Sequence, residues 1–418
     1  MNAVQPLPGF VYQQTEMVYE GKTPKRIEIT LQPHGGMRAR CPSCLRPAPG
    51  YDRSRHQRRW AFVPLWAIPV FLLYAPRRVQ CDEHGILVEH MPWSVGKRPV
   101  SQAMMVFLAR WARRLSWRET ARSFHTSWEM VYRSVEWFVA WGLDHRLLQQ
   151  VHSIGVDEIH WGRGKRADNY LTVIYQIDPH CRRLLWVGRR RTQATLQRGL
   201  KALGPAVVQE IRFVCSDMWK PYLNVLAAKV GHALHVLDRF HIALHLNQAV
   251  DQVRRGETAR LRAKSKEAAK GLKNMRWNLL RRASRVRGRA RQKLNRLLAS
   301  KLATSRAWEL KEAFAHFWRY KSVFWAGGFL DYWCFRAMRS RLEPMQTVAR
   351  MLRAHEPLLL NWFRAKGEIS SGPVEGLNNK IRVVTRRSYG FRTYKAMEIA
   401  LYHTLGRLPE PESTHKFC

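Results

Sequence analysis

The sequence predicts a multidomain α/β protein with four kinds of segment: a zinc ribbon, a short helical segment, a mixed α/β core and an all-helical insertion in that core. Two cysteine-containing knuckles lie among strand-like runs near the N-terminus. The hydrophobic spacing becomes helical at about residue 99, and from residue 151 short apolar runs alternate with helical stretches. With 418 residues, the chain is long enough for two or three domains.

The charge balance favours a polyanionic partner. The chain has 72 Lys and Arg against 31 Asp and Glu, a net charge of +41. Such an excess destabilises a compact protein unless a polyanion or solvent ions offset it, so we expect nucleic acid as the partner. A basic membrane-surface protein is the rival class, but the most apolar segment, 61–76, contains three prolines and is shorter than the roughly 20 residues of a membrane-spanning helix. No secretion leader is evident, and we therefore expect a cytoplasmic protein, nucleoid-associated when bound to DNA.

Two knuckles within residues 1–92 predict a structural zinc site. Each presents two ligands separated by two residues, a spacing with which one turn can offer both donors to a tetrahedral zinc ion. An odd total of seven cysteines argues against a disulfide framework. The alternative is two buried cysteines, a lone thiol and a surface histidine, and His90 or an outside residue could replace the fourth ligand. The predicted ligands are Cys41, Cys44, Cys81 and His84. The intervening runs 59–63 and 70–74 are expected to form a small antiparallel sheet in a region with little core.

Residues 93–148 are predicted to form a helix-turn-helix domain. Ser116 to Glu119 and Thr126 to Glu129 have the pattern of capping boxes, opening a short helix and a longer one. The second helix, which carries Trp128 and Arg133, would enter a DNA major groove. The alternative is an ordinary helical hairpin with a tryptophan-rich core face.

Residues 149–245 predict the first part of an α/β core. The succession is three meandering strands, helix, strand, helix and strand, which is the order of a ribonuclease H-like fold. The predicted segments are strands at 151–157, 170–177 and 183–188, a loop at 162–166, a helix at 192–203, a strand ending at Asp217, a helix at 219–229 and a strand at 233–237. Because the first and fourth strands are neighbours in that order, Asp157 and Asp217 are expected to converge.

Residues 246–365 predict a basic helical insertion. Between Arg254 and Lys301 there are eighteen Lys or Arg and two Glu, too one-sided for pairing within helices, so phosphate binding is expected. Four arginines of this stretch are expected to contact phosphate: Arg281, Arg282, Arg285 and Arg287. The aromatic residues that follow are expected to form core rather than a base-stacking platform; they are Trp308, Phe314, Phe317, Trp318, Tyr320, Phe324 and Trp325.

The segment 366–418 is predicted to complete the core and to supply a third acid. Glu375 lies among small residues, amides and cations near the start of a predicted helix. A carboxylate there can bind a metal ion, and the neighbouring polar groups suit DNA phosphate; they are Asn378, Asn379, Lys380, Arg386 and Arg387. Together with Asp157 and Asp217, Glu375 indicates two-metal phosphodiester chemistry with magnesium. The other acids that could take such a role are Glu158, Asp178 and Asp238.

Over nearly its whole length the chain resembles the ISL-three family of bacterial insertion-sequence transposases, a group of the DDE transposases. The resemblance rests on the knuckles, the helix-turn-helix pattern and five motifs: Ile154 to Glu158, Ser216 to Met218 with Tyr222, Asp238 to His241, Gly372 to Lys380 and Arg386 to Phe391. It implies that Asp157, Asp217 and Glu375 form the DDE triad, with two magnesium (or manganese) ions. It also implies that His241 approaches DNA or the scissile phosphate; the alternative is a buried histidine that caps a helix.

The resemblance further implies cleavage at the element ends and attack of the freed 3′-hydroxyl on target DNA. The zinc ribbon and helix-turn-helix would hold the terminal inverted repeats of double-stranded DNA, while the basic insertion would clamp flanking DNA. A homodimer or larger assembly is expected in the synaptic complex. The rival functions are a non-catalytic DNA-binding regulator and a structure-specific nuclease on the same fold.

Overall fold

The computed structural model describes residue 2 and residues 5–161, 167–300, 302–369 and 372–411. The chain divides into two compact units: unit 1 comprises Met1–Leu147 and Ile381–Cys418, and unit 2 comprises Leu148–Lys380. This division differs from the five sequence segments, because most of the segment 366–418, expected in the α/β core, belongs to unit 1. The loop expected at 162–166 lies outside the described residues.

The N-terminal part of unit 1 contains two sheets. The larger sheet has the order β1-β2-β5-β4, with β1 Phe10–Glu20, β2 Thr23–Pro33, β4 Arg58–Leu65 and β5 Ile68–Tyr74. The smaller sheet has the order β3-β6-β7, with β3 Gly50–Arg53, β6 Arg77–Cys81 and β7 Gly85–Val88. The predicted antiparallel pair β4–β5 is confirmed, but it belongs to the larger sheet and not to the sheet that carries Cys81.

The larger sheet has a substantial apolar core. The rings of Phe10, Trp60, Tyr74 and Trp93 pack edge to face, with centroids 4.8–5.8 Å apart. Alternate residues of β2 are buried beneath them, as the period of two in a strand requires. The expectation that this region has little core is therefore wrong, and its fold does not rest on a metal ion alone.

Three helices follow in unit 1: α1 Gln102–Ala112, α2 Trp117–Ser123 and α3 Trp128–Asp144. The predicted capping box of α2 is confirmed, since Ser116 accepts from the Glu119 N–H and the Glu119 carboxylate accepts from the Ser116 N–H. The box predicted for α3 is wrong by one residue. Ser127 is the N-cap, accepting from the Met130 N–H at 3.1 Å, and no reciprocal contact from Glu129 forms there.

Unit 2 begins with a five-stranded mixed sheet of order β10-β9-β8-β11-β12. Its elements are β8 Ser153–His160, β9 Tyr170–Asp178, β10 Cys181–Arg189, α4 Gln193–Leu203, α5 Pro205–Glu210, β11 Phe213–Ser216, α6 Lys220–Val230 and β12 Leu234–Leu237. The predicted succession of elements is confirmed, with α5 as an addition. Strand β8 runs on past Asp157 to His160, so Asp157 lies within the strand and not at its end as predicted.

The two faces of β8 have different neighbours. Ile154 and Val156 belong to an apolar cluster with residues of α4 and α6. Gly155 and Asp157 alternate with them and face the other side of the sheet, where Val374 packs against Gly155.

The described residues from 239 to 364 form helices and short connections, with no strand among them. The helices are α7 Arg239–Arg262, α8 Lys266–Asn274, α9 Arg276–Leu280, α10 Gly288–Leu298, α11 Ala303–Phe314, α12 Val323–Arg339, α13 Glu343–Ala354 and α14 Glu356–Arg364. All of them except α8 contribute to one apolar core, in which Trp308, Phe314 and Phe317 are buried as predicted. The core prediction is wrong for Tyr320 and for Phe324 and Trp325 of α12, which are all exposed.

The last two helices are α15 Gly372–Arg387 and α16 Tyr394–Leu405. The bounds of α16 match the predicted ones. Within unit 1, the buried His403 of α16 packs edge to face on Phe138 of α3, and Glu410 accepts from Arg110 and Arg113 of the α1 end. Among the described residues, no helix is long and apolar enough to cross a membrane.

Candidate active site

Three acids meet where parallel strands of unit 2 end. Cys215 of β11 pairs with Gly155 of β8, and Ser216 pairs with Leu237 of β12. Continuing that register places Asp217 beside Asp157 on one side and Asp238 on the other. This is the edge at which open α/β sheets bind ligands.

Asp157 is held by neighbours on its own face of the sheet. Its Oδ2 accepts from Asn378 Nδ2 at 2.6 Å, and its Oδ1 accepts from the Glu158 N–H at 2.8 Å. Burial raises the pKa of Asp157, an effect that these two hydrogen bonds oppose. Asn378 also accepts from the Tyr175 hydroxyl at 2.8 Å. The side chain of Asn378 is thus hydrogen-bonded to Asp157 and Tyr175, and its contact with DNA stays a prediction.

Arg191 lies between two acids next to Asp157, namely Glu158 and Asp217. Its Nη2 lies 2.7 Å from Glu158 Oε1 and 3.8 Å from Asp217 Oδ2. Its guanidinium stacks on Trp219, 4.1 Å from the ring centroid, and the Trp219 N–H donates to Asp217. Burial, followed by the charge of Asp217, raises the pKa of Glu158 to about 8. Asp157, Glu158 and Asp217 are close together and largely buried, so their negative charges repel one another. A bound cation would offset that repulsion.

Asp238 begins α7 and pairs with His241. Its Oδ1 accepts from the Phe240 N–H at 2.8 Å, and its Oδ2 lies 2.9 Å from His241 Nδ1. The hydrogen bond from Asp238 raises the pKa of His241 to about 9, with Asp157 and Asp217 adding to the effect. The helix cap is therefore Asp238 and not the histidine, and the raised pKa of His241 favours the imidazolium at neutral pH.

Glu375 lies exposed in the first turn of α15. It is one helical turn from Asn378, which contacts Asp157, so α15 presents Glu375 on the Asp157 side of the sheet. Val374, in the first turn of α15, packs directly on Gly155 of β8. The contact is so close that a Cβ at Gly155 would overlap Val374 Cγ2, and it fixes the position of the start of α15. Within the part of the chain that the structure describes, however, Glu375 does not close into a tight ligand cluster with Asp157 and Asp217.

A tight cluster does form in unit 1, from all four predicted zinc ligands. The donor atoms of Cys41, Cys44, Cys81 and His84 all lie within 4.8 Å of one another. The pairs Cys81–His84, Cys44–Cys81 and Cys41–His84 are 3.6, 3.8 and 3.9 Å apart. Bonds of about 2.0–2.3 Å to a tetrahedral zinc ion require edges of roughly this length. The cluster fits a structural zinc ion and includes His84 instead of His90.

Local structure explains how the knuckles form. Cys81 ends β6, and His84 lies in the turn to β7, next to Gly85 with a φ of 70°. In the other knuckle Leu45 has a φ of 59° and donates to the Cys41 carbonyl at 3.0 Å. The backbone N–H of Cys44 is the largest cause that lowers the pKa of Cys41 to about 7, which favours the thiolate required of a metal ligand.

Two family models match the chain, one over the α/β core and one over the Cys/His cluster. A model of the DDE transposase domain of the ISL3 (ISL-three) type, described as a transposase, matches residues 154–401, more than half of the chain. The chain belongs to the ISL3 family of DDE transposases. A second model, described as the zinc-finger of transposase IS204/IS1001/IS1096/IS1165, matches residues 38–84 and so includes all four cluster ligands.

Individual relatives of this ISL3 transposase cover most of its length. The transposase for insertion sequence element IS1001 from Bordetella parapertussis is 26% identical, over 80% of this chain and 81% of the relative. The transposase for insertion sequence element IS1557 from two strains of Mycobacterium tuberculosis is also 26% identical, over 93% of this chain and 91% of the relative.

The residues predicted to contact DNA have different environments in the transposase. Trp128 and Arg133 are exposed on α3, and Arg133 pairs with Glu129 at 2.6 Å. Arg387 donates to the Arg113 carbonyl at 2.7 Å and the Arg114 carbonyl at 3.1 Å, satisfying the end of α1. The contact of Arg387 with DNA stays a prediction. The remaining predicted residues of this segment, Asn379, Lys380 and Arg386, are exposed.

The basic stretch of unit 2 is only partly free for phosphate. The four arginines predicted to contact phosphate are all exposed: Arg281, Arg282, Arg285 and Arg287. At its N-terminal end Arg254 is buried and pairs with Asp251 at 2.8 Å, and Arg255 and Arg276 reach the same carboxylate at 3.4 Å. The expectation of an unpaired run is wrong there, because Asp251, just before this stretch, pairs with three of its arginines.

Sequence reasoning missed Arg191 and Tyr175. Arg191 ends the run Arg189-Arg190-Arg191, which begins at the last residue of β10. A basic run at a strand end could have suggested a charge partner for the predicted acids. Tyr175 lies in an apolar strand, and nothing in its local sequence distinguishes it from core.

Proposed function

We propose that this transposase cleaves and joins DNA with Asp157, Asp217 and Glu375 as its metal ligands. The observation that carries the proposal is the register of β8 and β11, which puts Asp157 beside Asp217, together with the Asn378–Asp157 hydrogen bond that ties α15 to the same edge. The carboxylate set is suited to magnesium, a cation that prefers oxygen ligands. When bound, two such ions stabilise the attacking and leaving oxygens of an in-line displacement.

Polar and charged side chains around the acids orient them and supply positive charge for an anionic substrate. Asn378 fixes the orientation of Asp157, and Arg191 balances part of the charge of Glu158 and Asp217. The imidazolium of His241, held by Asp238, supplies a positive charge that can attract a phosphodiester. Glu375 stays exposed, so DNA and metal can reach it from solvent.

We further infer that unit 2 is a ribonuclease H-like core with a helical insertion between its second and third acids. The strand order β10-β9-β8-β11-β12 and the run of helices from α7 to α14 support this inference. In unit 1, helices α2 and α3 would act as a helix-turn-helix that, with the zinc ribbon, holds the terminal inverted repeats. The transposase would act as a homodimer or larger synaptic assembly.

The test is a strand-transfer assay with purified protein, labelled element ends, target DNA and magnesium. Joined products are expected from the wild type. Asp157→Asn, Asp217→Asn and Glu375→Gln should each abolish cleavage and leave end binding nearly unchanged, because these groups hold metal and do not contact bases. Glu343→Gln, an exposed change on α13, is the matched control.

Each rival function has its own outcome. Cutting without joining would indicate a structure-specific nuclease, and binding without cutting would indicate a DNA-binding regulator. Near-normal cutting by any one of the three variants would show that the substituted residue is not a metal ligand.

A further inference from the structure

Helix α12 has an unusual surface: its solvent-facing side is aromatic. Phe324, Trp325, Tyr332 and Phe335 are 78%, 65%, 60% and 45% exposed. The opposite side is buried in the shared core of unit 2 through Ala326, Leu330, Trp333 and Ala337. The helix is therefore fully anchored without the exposed rings, which contribute little to the core.

The exposed rings share one face with two arginines. At 3.6 residues per turn, the rings, Arg336 and Arg339 project within an arc of about 120°. Arg339 Cζ lies 3.7 Å from the Phe335 ring centroid, and Arg336 Cζ lies 5.9 Å from that of Tyr332. We call this surface, made of Phe324, Trp325, Tyr332, Phe335, Arg336 and Arg339, the aromatic face.

We propose that the aromatic face binds DNA bases that are not paired in a duplex. Aromatic rings and guanidinium planes stack on bases of any sequence, whereas the bases of a duplex are already stacked on one another. The charge around the face suits the phosphates between such bases, since residues 319–341 contain five Lys or Arg and one acid, Asp331. The proposal deepens the proposed function, because strand cleavage produces ends at which bases can separate.

Gly328 gives the face an opening. It lies one turn from both Phe324 and Tyr332. Apart from its chain neighbours and the backbone of its own helix, no atom lies within 4 Å of the position where its Cβ would be. A planar base can approach the helix backbone there, between rings on either side. A bulky side chain at this position would close the opening without removing any ring.

A second copy of the chain is the less favoured occupant. A two-fold contact would bring the same patch together with itself and thus oppose the Arg336 and Arg339 side chains of both copies. Each copy also carries a net charge of +41, so association through a basic face works against repulsion that DNA would relieve.

The test measures binding of full-length protein to a single-stranded oligonucleotide and to a duplex of the same sequence. The triple variant Phe324→Ala, Trp325→Ala, Tyr332→Ala should bind the single strand roughly 5- to 150-fold more weakly for each stack lost. Its duplex binding should change much less. Trp325→Phe should retain most of the affinity, and Gly328→Leu should weaken single-strand binding with all rings present. Tyr19→Ala, an exposed ring on β1, is the matched control and should bind as the wild type does.

A probe in the DNA reports stacking directly. Fluorescence of 2-aminopurine in the single strand should be quenched by the wild type and much less by the triple variant, with both proteins unfolding at similar temperatures. Unchanged single-strand binding, or equal loss on single strand and duplex, would overturn the proposal. So would a wild-type dimer that the triple variant converts to monomer with DNA binding intact, because the face would then be a protein interface.

These readouts do not depend on catalysis. If the wild type quenches the probe but forms no joined products, the proposed function fails while the aromatic face stands. If joining occurs and the triple variant quenches the probe normally, only the present inference fails.

Discussion

A single methyl group added at Gly155 should disturb the active site. An added methyl group would overlap Val374 and also approach Ile177 Cγ2 at 3.3 Å, both in the packed interior. Gly155→Ala should therefore push the start of α15 away from β8 and move Glu375. Overpacking of this kind costs about 1–3 kcal/mol. We expect a lower unfolding free energy in urea and a slower cleavage rate that added magnesium does not restore.

Gly271→Ala is the control for that experiment. Gly271 lies exposed on α8 with no atom near the position of a Cβ, so alanine there should leave cleavage unchanged and stabilise by about 0.4–1 kcal/mol. If Gly155→Ala behaved in the same way as this control, α15 would not depend on the close contact at β8.

His241 should show a pKa that depends on Asp238. Asn is as good a helix cap as Asp, so Asp238→Asn keeps the start of α7 while removing the charge that holds the imidazolium. The pKa of His241, about 9 in the wild type, should fall toward its ordinary value near 6.5. Titration of the imidazole C–H signals by NMR measures this. An unchanged pKa would mean that Asp238 does not hold the imidazolium.

The same pair has a consequence for stability. Because the pKa of His241 is raised on folding, its contribution is fully present below about pH 6.5 and is lost as pH rises through about 9. The unfolding free energy of the wild type should exceed that of His241→Gln at pH 6, and the difference should shrink by pH 10. A difference that grew with pH would contradict the assignment of a protonated histidine.

At the level of elements, zinc should stabilise the small sheet and not the large one. The wild type should hold about one zinc ion per chain, and Cys44→Ser should lose it. Backbone amides of β6 and β7 should then lose protection from hydrogen exchange. Those of β2 and β5 should keep theirs, because the cluster of Phe10, Trp60, Tyr74 and Trp93 remains. Cys181→Ser, outside the cluster, is the control.

Recognition of the element ends should be lost when the small sheet unfolds. Zinc-free protein should lose its preference for element ends over random DNA of equal length, since the knuckles would no longer have a fixed shape. Full specificity in protein treated with a chelator would exclude a role of the zinc cluster in end binding. Loss of protection in β2 and β5 would show that the two sheets unfold together.

The exposed arginines between α9 and α10 should supply sequence-independent contacts. Each phosphate contact adds roughly 0.9 to the slope of log affinity against log salt concentration, so neutralising all four should flatten the slope by about 3 to 4 units. The four are Arg281, Arg282, Arg285 and Arg287. Affinity for cognate and random DNA should fall alike. Lys22→Gln with Lys25→Gln, on the β1–β2 hairpin, is the control for charge removal elsewhere.

Arg133 of α3 should behave in the opposite way. If it leaves Glu129 to meet a base edge, Arg133→Ala should cost about 1–3 kcal/mol on the cognate end and far less on random DNA. A uniform loss from Arg133→Ala, together with sequence discrimination by the arginines of unit 2, would reverse these roles. Helices α2 and α3 would then be a structural hairpin.

At the level of the whole molecule, repulsion should limit stability at low salt. A net charge of +41 disfavours a compact chain, and both screening and a bound polyanion relieve that repulsion. The melting temperature should therefore rise between 50 and about 300 mM sodium chloride, where the Debye length falls below about 10 Å. Duplex DNA at low salt should raise it too. A melting temperature that fell with salt would mean that paired charges such as Asp251 and its arginines dominate.

Local pattern was enough to predict the order of elements in unit 2 and the four residues of the Cys/His cluster. Apolar runs and turn residues give the succession of strands and helices in unit 2, and the knuckle spacing identifies all four members of the cluster. The partners of single side chains were not predictable in this way. Arg387 meets carbonyls about 270 residues earlier, and whether Asn378 faces DNA or Asp157 depends on packing that periodicity does not encode.

Two larger errors have different origins. The β1–β2 hairpin was missed because β1 is polar and largely exposed, so it lacks the alternation that marks a half-buried strand. Phe324 and Trp325 were assigned to core because aromatic residues in an amphipathic helix usually are. The helix already buries Leu330 and Trp333 on its other side, which leaves no place in the interior for them.

The hydrogen bond between Asn378 and Asp157 also sets an order of events during synthesis. It joins residues 221 positions apart, so the chain emerging from a ribosome has made β8, β11 and all the helices up to α14 before the partner of Asp157 exists. Closing such a long loop is slow compared with local folding. A nascent or prematurely terminated chain would thus fold its zinc cluster and most of its basic surface while lacking Glu375, and would hold DNA without cutting it.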